Sequence, residues 1–420
     1  MKKILWLCSC SFSENLIKGN GSWLQPMAEN IQAVDNIQLY NITIGNVDKI
    51  EKNDYKNIKQ WILPNDKPNK FDQTISIETC KEVSSIIEQV KPDLIHIWGT
   101  ESIWASIYRQ GYIRFKTLID IQGLLSVYTD YYYGGLTNRE IIKSIHLKEI
   151  IMPWRTLFNK KEVFRKRGEE EIACIKRFKN ISFQSVWVKN QVSIINPNAQ
   201  YFATRIMLRD SFYTSPQWKY KAITNSPVIF SSSSAAVSYK GIHVLIKAIA
   251  LLKRNYPDIK LRLAGTIDIG NKLLDGYSRF LRTLIVKNNL ENNVLYTGSL
   301  NENQMVDELL NCNVCVVPSF IETYCLAFAE AMIVGVPVVV SYAGAMPELA
   351  EHNKEAMFYN PLDHVTCAAY IDHLIQNKHH AELLSLNARI RRLKENDKDL
   401  VVATQISIYN SIINGNVDAV

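Results

Sequence analysis

Two glutamates eight positions apart, Glu322 and Glu330, stand in the stretch Val316-Val317-Pro318-Ser319-Phe320-Ile321-Glu322-Thr323-Tyr324-Cys325-Leu326-Ala327-Phe328-Ala329-Glu330-Ala331-Met332. The pattern predicts a strand ending at Pro318 and a helix beginning near Tyr324, with Glu322 in the connecting loop and Glu330 on the helix. Eight helical residues rise about 12 Å. Carboxylates that far apart do not form an acid/base pair on one bond. They can hold two ends of one extended ligand, with helix-terminal N–H groups between them for its phosphates. The plainer alternative is an exposed loop Glu and a surface helix Glu. Against it, Glu330 is flanked by Phe328, Ala329, Ala331 and Met332, and a carboxylate in an apolar helix needs a partner.

Other groupings lack the setting for chemistry. Cys312-x-x-Cys315 has zinc-like spacing but stands alone and runs into a strand, where side chains face opposite ways. It reads as ordinary core cysteines, as does Cys8-x-Cys10. His379-His380 lies in a polar segment with no carboxylate constellation. His96, in Leu94-Ile95-His96-Ile97-Trp98, is either a satisfied core histidine or a site group. No metal-ligating constellation stands out.

Short apolar runs alternate with helical patterns, which predicts α/β architecture with parallel sheets. Ile4–Cys8, Leu94–Trp98, Thr117–Ile121 and Asn180–Phe183 read as strands. Ser11–Ser22 is a polar loop with Gly19 and Gly21, and Trp23–Ile31 begins a helix. The pattern restarts near 226 with the strand Val228–Phe230, the small-residue loop Ser231–Tyr239, then Lys240-Gly241 and a helix. Ile242, Leu245, Ile246, Ile249 and Leu252 share one face of it. Leu261–Ala264, Val294–Thr297, Val314–Val317 and Val336–Val340 follow as strands. Two units result, 1–215 and 216–395, and the apolar helix in 396–420 is expected to pack back on the body. In such sheets ligands bind beyond the carboxyl ends of the strands.

With Val-Pro-Ser before it, and Ala331-Met332, Gly335-Val336-Pro337 and Gly344-x-x-Pro347-Glu348 after it, Glu322-x7-Glu330 resembles the signature of family four of the retaining GT-B glycosyltransferases (glycosyl transferases group 1). The resemblance covers nearly the whole chain and is strongest from about 228 to 362. It implies two Rossmann-like doubly wound domains facing a central cleft, the first on the acceptor side and the second on the nucleotide-sugar donor side. Carried onto this sequence, it places Glu322 near the donor sugar's hydroxyls, Glu330 on the ribose and Lys240 on the diphosphate. Glu322 and Lys240 are thereby the catalytic candidates. Gly265 and Gly298 resemble strand-end glycines where backbone approaches the nucleotide. Gly19 and Gly21 resemble a glycine loop facing the donor phosphates, and Gly344, Met346 and Pro347 a loop beside sugar and phosphate. Thr323, Tyr324 and Cys325, together with Gln122 and His96, complete the expected donor-binding set.

The activity implied is transfer of a sugar from a nucleotide-diphosphate sugar to a glycan or lipid-linked acceptor, without metal or other cofactor, in bacterial surface polysaccharide synthesis. The chain departs from the family pattern at three positions. Ala235 stands where an Arg is common, so part of the positive charge must come from elsewhere, with Arg205 and Arg209 as candidates. Tyr324-Cys325 replaces Phe-Gly, and Gln122 replaces a strand-end His. A nucleotide-sugar epimerase of the same fold and a non-catalytic sugar-nucleotide-binding subunit are the rival functions. A nicotinamide dehydrogenase is disfavoured, because no Gly-x-Gly-x-x-Gly follows either opening strand.

Composition agrees with two globular domains. The chain has 420 residues, 47% hydrophobic and 21% charged, which excludes a disordered chain and a multi-span membrane protein. A net charge of +7 suits phosphates or anionic surfaces without demanding nucleic acid. Eight scattered cysteines point to a reducing compartment, and no apolar run is long enough to span a bilayer, so a cytoplasmic protein is expected. Segment 141–179 is basic, with Trp154, Phe158 and Phe164 interleaved and Glu162, Glu169, Glu170 and Glu171 diluting it. It is either a peripheral contact with an anionic membrane or a plain solvated helix.

Overall fold

A computed structural model describes residues 1–14, 23–222, 226–232, 237–265 and 276–415. The chain forms two compact units. Met1–Thr129, Val163–Met207 and Asn396–Val420 make the first; Asp130–Glu162 and Leu208–Glu395 make the second.

In the first unit β1 (Lys2–Leu7), β2 (Ile37–Gly45), β3 (Glu51–Tyr55), β4 (Ile58–Pro64), β5 (Leu94–Trp98), β6 (Thr117–Asp120), β7 (Asn180–Phe183) and β8 (Gln200–Ala203) build one sheet. Their order is β3-β4-β2-β1-β5-β6-β7-β8, parallel except for the antiparallel β3–β4 pair. The central β1 and β5 are covered on both faces, which is why they read as continuous apolar runs. Leu5, Leu7, Ile95, Ile97 and Ile119 face one core. Ile4, Trp6, Leu94 and Trp98 face the other, together with Val401, Ile408, Tyr409 and Ile412. Those four come from the helix Lys398–Asn414, whose buried positions recur at helical spacing.

In the second unit β9 (Val228–Ser232), β10 (Lys260–Ala264), β11 (Val294–Gly298), β12 (Val314–Val317), β13 (Val338–Ser341) and β14 (Met357–Tyr359) form a wholly parallel sheet in the order β11-β10-β9-β12-β13-β14. β9, β12 and β13 are neighbours and point the same way, so the loops at their carboxyl ends meet. This follows from a doubly wound order, in which the chain runs outward from β9 in both directions.

Three features differ from the sequence-based expectation. β13 begins at Val338, because Gly335, at φ +83°, ends the preceding helix and Val336-Pro337 only connect. β2, β3, β4, β8 and β14 are not among the strands expected; β3 buries only Tyr55, and β14 is three residues long. The unit boundaries also shift. The chain leaves the first unit after Met207, and Asp130–Glu162 belongs with the second. The cause is local packing. The Ser238 hydroxyl donates to the Tyr132 carbonyl, Glu149 Oε1 accepts the Gly276 N–H at 3.0 Å, and Lys247 pairs with Glu140 at 3.4 Å. No helix among the described residues is long and apolar enough to cross a membrane.

Candidate functional site

Three loops of the second unit interlock at the carboxyl ends of β9, β12 and β13. The turn after β9 ends in a 3-10 helix, Ser238–Lys240, and Gly241 at φ +70° starts the helix Ile242–Leu252. A Cβ on Gly241 would lie 1.9 Å from the Pro318 carbonyl oxygen, so only glycine allows this turn to press on the loop after β12. The Phe320 N–H donates to the Tyr239 carbonyl at 2.7 Å and joins the same two loops. From β13, the Ser341 hydroxyl donates to the Ser319 carbonyl, and the Ala345 N–H donates to the Glu322 carbonyl at 2.9 Å. Gly344, at φ +53°, lies so close that a Cβ would meet the Glu322 oxygen at 2.2 Å and its nitrogen at 2.8 Å.

These contacts fix Glu322. Its Oε1 accepts from Lys240 Nζ at 2.6 Å and from Ser319 Oγ at 2.7 Å, and the residue is buried. The two residues singled out as catalytic from sequence are therefore in direct contact. Ser319, part of the Val-Pro-Ser motif, is the partner that sequence reasoning left without a role.

Glu330 lies on the helix Leu326–Val334, whose residues from Phe328 on are all buried. Its partner is Arg209, whose Nη2 donates to Glu330 Oε1 at 2.7 Å. Burial pushes the Glu330 carboxyl up, and the Arg209 guanidinium opposes this. Arg209 also stacks over the Phe212 ring at 4.9 Å, which holds its side chain. Arg209, one of the two cations offered from sequence for the charge missing at 235, is thus paired with Glu330. Ala235 itself, with Gly19 and Gly21, lies outside the described residues.

Cys325 caps this helix in the left-handed region, at φ +83° and ψ +81°. The backbone here asks for glycine, the residue that the sequence resemblance puts at this place. The Cys325 thiol is buried and fills space, and burial, then the charge of Glu322, raises its pKa. Cys325→Gly is expected to change stability by less than about 1 kcal/mol. Release of roughly 1–2 kcal/mol of left-handed strain offsets the lost burial and the added chain entropy. Chemical denaturation checks this; a loss above about 3 kcal/mol would show that the thiol does more than fill space.

The other residues of the second unit expected to bind donor are placed as follows. Thr323 is buried and Tyr324 half-buried in the loop that carries Glu322. Met346 is fully buried and Pro347 half-buried at the start of the short helix Met346–Leu349, so Met346 contributes backbone and not side chain to the surface. Gly265, at φ +125°, follows β10, and Gly298, at φ +73°, ends β11; the Gly265 N–H donates to the Gly298 carbonyl at 2.9 Å.

In the first unit, Gln122 is half-buried just past the end of β6. His96, expected in the donor-binding set, sits in the core of the first unit, with its Nε2 unpartnered among the described residues. It is fully buried, its Nδ1 is 2.8 Å from the Tyr409 hydroxyl, and Trp6 and Trp98 pack around its ring. Burial holds its pKa well below the usual histidine value. Its face of β5 is the one under the helix Lys398–Asn414, which strand periodicity alone did not reveal. Two carboxyls at these strand ends were passed over in the sequence. Asp120 ends β6, and Glu101 follows β5; burial pushes each up to about 7. Asp120 accepts from Ser182 Oγ at 2.8 Å and from Gln184. A signal was present: an acid ending an apolar strand, and another beside Gly99. Cys312 and Cys315 are free and buried. Asp397-Lys398-Asp399, a paired-Asp spacing not noted in the sequence, is a helix start in which Asp397 accepts the Leu400 N–H at 2.9 Å.

Residues 217–391 match the family model described as glycosyl transferases group 1. The chain is 28% identical over 181 residues to glycosyltransferase YqgM of Bacillus subtilis, covering 42% of this chain and 47% of that protein. The aligned segments span between about a third and a half of the length of the first curated relatives. Over whole chains, the fold is similar to sucrose-phosphate synthase from Thermosynechococcus elongatus, with a TM-score of 0.73 at 15% identity, covering 99% of this chain and 100% of that one. It is also similar to Anabaena Alr3699/HepE in complex with UDP and glucose, with a TM-score of 0.65 at 16% identity, covering 98% and 100%. These likenesses establish the architecture. The chain has the two-domain GT-B α/β fold, and its residues 217–391 are similar to the glycosyl transferases group 1 family.

Proposed function

We propose that this protein is a retaining glycosyltransferase that moves a sugar from a nucleotide-diphosphate sugar to a glycan or lipid-linked acceptor, without a bound metal, in bacterial surface polysaccharide synthesis. One observation carries this: Lys240, Glu322 and the close-packed Gly344 converge at adjacent strand ends, next to the helix that holds Glu330 against Arg209. The UDP and glucose named with the Anabaena structure support a donor of the nucleoside-diphosphate class.

When the bond from the sugar to the diphosphate breaks, both electrons leave with the phosphate oxygen. Negative charge grows there, where Lys240 and the N–H groups at the start of the helix Leu326–Val334 stabilise it. Glu322 accepts from a sugar hydroxyl and Glu330 from the ribose. Gly265, Gly298 and Gly344 let backbone approach the ligand, and Thr323, Tyr324, Cys325, Met346 and Pro347 shape the loops around it. In the first unit, Gln122, Asp120 and Glu101 are groups of the kind that take sugar hydroxyls. A lipid-linked acceptor calls for peripheral contact with an anionic membrane.

Incubation with nucleotide sugars, with and without glycan acceptors, tests the reaction. A new glycoside formed only with acceptor supports it. An isomerised donor formed without acceptor points to an epimerase, and donor binding without turnover to a binding subunit. Thermal shift identifies the donor, because a ligand at 100 times its dissociation constant adds about 2.7 kcal/mol.

Glu330→Gln is expected to weaken nucleoside-diphosphate binding by about 1.5–3 kcal/mol, the range for hydrogen bonds to a charged group. Titration calorimetry on the folded variant measures it. Unchanged affinity would remove Glu330 from the nucleotide site and leave its bond to Arg209 as purely structural.

A further inference from the structure

Three of the acids that dilute the basic segment in sequence are ion-paired or buried in the structure. In the helix Leu157–Ile175, Glu169 pairs with Arg165, and Glu170 pairs with Arg109 at 2.6 Å. Glu171 is buried and accepts from Thr100 and Ser126. Upstream, Glu140 closes the capping box of the helix Asn138–Ser144 and pairs with Lys247. Glu149 is buried against the Gly276 N–H.

An apolar run with cations remains. Ile150 is 67% exposed, Ile151 77%, Met152 39% and Trp154 57%, all within five residues at the end of the helix Leu147–Ile151 and the turn after it. Ile142 and Phe158, on the neighbouring helices, are also exposed. Lys143, Lys148 and Arg155 are exposed among them and have no acidic partner among the described residues. Isolated exposed apolar residues are ordinary, but a consecutive run of large ones rimmed by charge of a single sign marks an interaction surface.

We propose that Ile150–Trp154 inserts into the headgroup boundary of an anionic lipid bilayer, with Lys143, Lys148 and Arg155 against the lipid phosphates. Charge decides the occupant. A second copy of the chain meeting this surface about a two-fold axis would oppose the same cations across the apolar run. An anionic bilayer offers the complementary charge and takes the indole of Trp154 at the level where its ring is both apolar and hydrogen-bonded. The inference deepens the membrane contact of the proposed function, but its observations are exposure and charge in this segment and not the donor site, so a negative vesicle test leaves sugar transfer standing.

The test is co-sedimentation of the full chain with phosphatidylcholine vesicles and with vesicles that also contain phosphatidylglycerol, at low and high salt. Binding is expected only to the anionic vesicles and is expected to fall at high salt. Ile151→Ser with Trp154→Ala should weaken it at least about tenfold. Each of Lys143→Ala, Lys148→Ala and Arg155→Ala should weaken it roughly fivefold. Thermal denaturation of the variants, in which only exposed residues change, shows that they remain folded. Equal binding to both vesicle types, no binding to either, or binding unaffected by the substitutions overturns the proposal. So does a lipid-free dimer that Ile151→Ser dissociates, because it assigns the run to contact between copies.

Discussion

Lys240→Ala is expected to lower sugar transfer roughly 10²–10³-fold at saturating donor and acceptor, the usual loss when one group facing developing charge is removed. The ammonium is the cation that the structure places at the junction of the three strand-end loops, 2.6 Å from Glu322 Oε1. When the diphosphate departs, this charge has no replacement from position 235, which is alanine. The variant has a second effect, since Glu322 loses its ion-pair partner and keeps only the Ser319 hydroxyl. A buried carboxylate deprived of its cation destabilises its surroundings. Thermal denaturation and acceptor titration on the same protein therefore accompany the rate measurement. A folded variant with lowered turnover and acceptor affinity within about threefold fits a charge acting on the leaving group. Normal turnover would mean that the phosphate site draws its charge from another residue.

Gly344→Ala is expected to cost about 2–5 kcal/mol of stability, or to displace Glu322 and abolish transfer. Two terms add. A non-glycine residue at φ +53° carries roughly 1–2 kcal/mol of backbone strain. The new methyl would also sit 2.2 Å from the Glu322 carbonyl oxygen, and forcing atoms into a packed site costs about 1–3 kcal/mol. Gly298→Ala separates the terms. Gly298 has φ +73° but nothing within 4 Å of its Cβ position, so only the backbone term applies and the loss should stay near 1–2 kcal/mol. Gly241→Ala, with its Cβ 1.9 Å from the Pro318 oxygen, should resemble Gly344→Ala. Urea unfolding of the three variants gives the order. If Gly298→Ala and Gly344→Ala cost the same, contact with the Glu322 backbone is not what Gly344 provides.

The sequence by itself determined the elements of the sheet interiors and the candidates on their loops. β5, β7 and β12 are legible residue for residue, because strands buried on both faces are short and mostly apolar. β3 and β14 were not legible, since an exposed hairpin strand and a three-residue edge strand require no such run. Glu330 announced that it needed a partner, because a carboxylate among Phe328, Ala329, Ala331 and Met332 cannot be left alone.

Only the tertiary structure decided which partner that was, and the distances explain why. Arg209 lies 121 positions before Glu330, and Lys240 lies 82 before Glu322. Pairings at such separations depend on how loops meet at strand ends, which no local period encodes. The same holds for His96, whose partner Tyr409 comes from a helix 313 positions later and makes it a core residue. It holds too for Asp130–Glu162, which sequence order assigns to the first unit and packing to the second. Residue type and spacing set what each group can do; burial and long-range contact, which depend on the whole chain being folded, decided which groups do it.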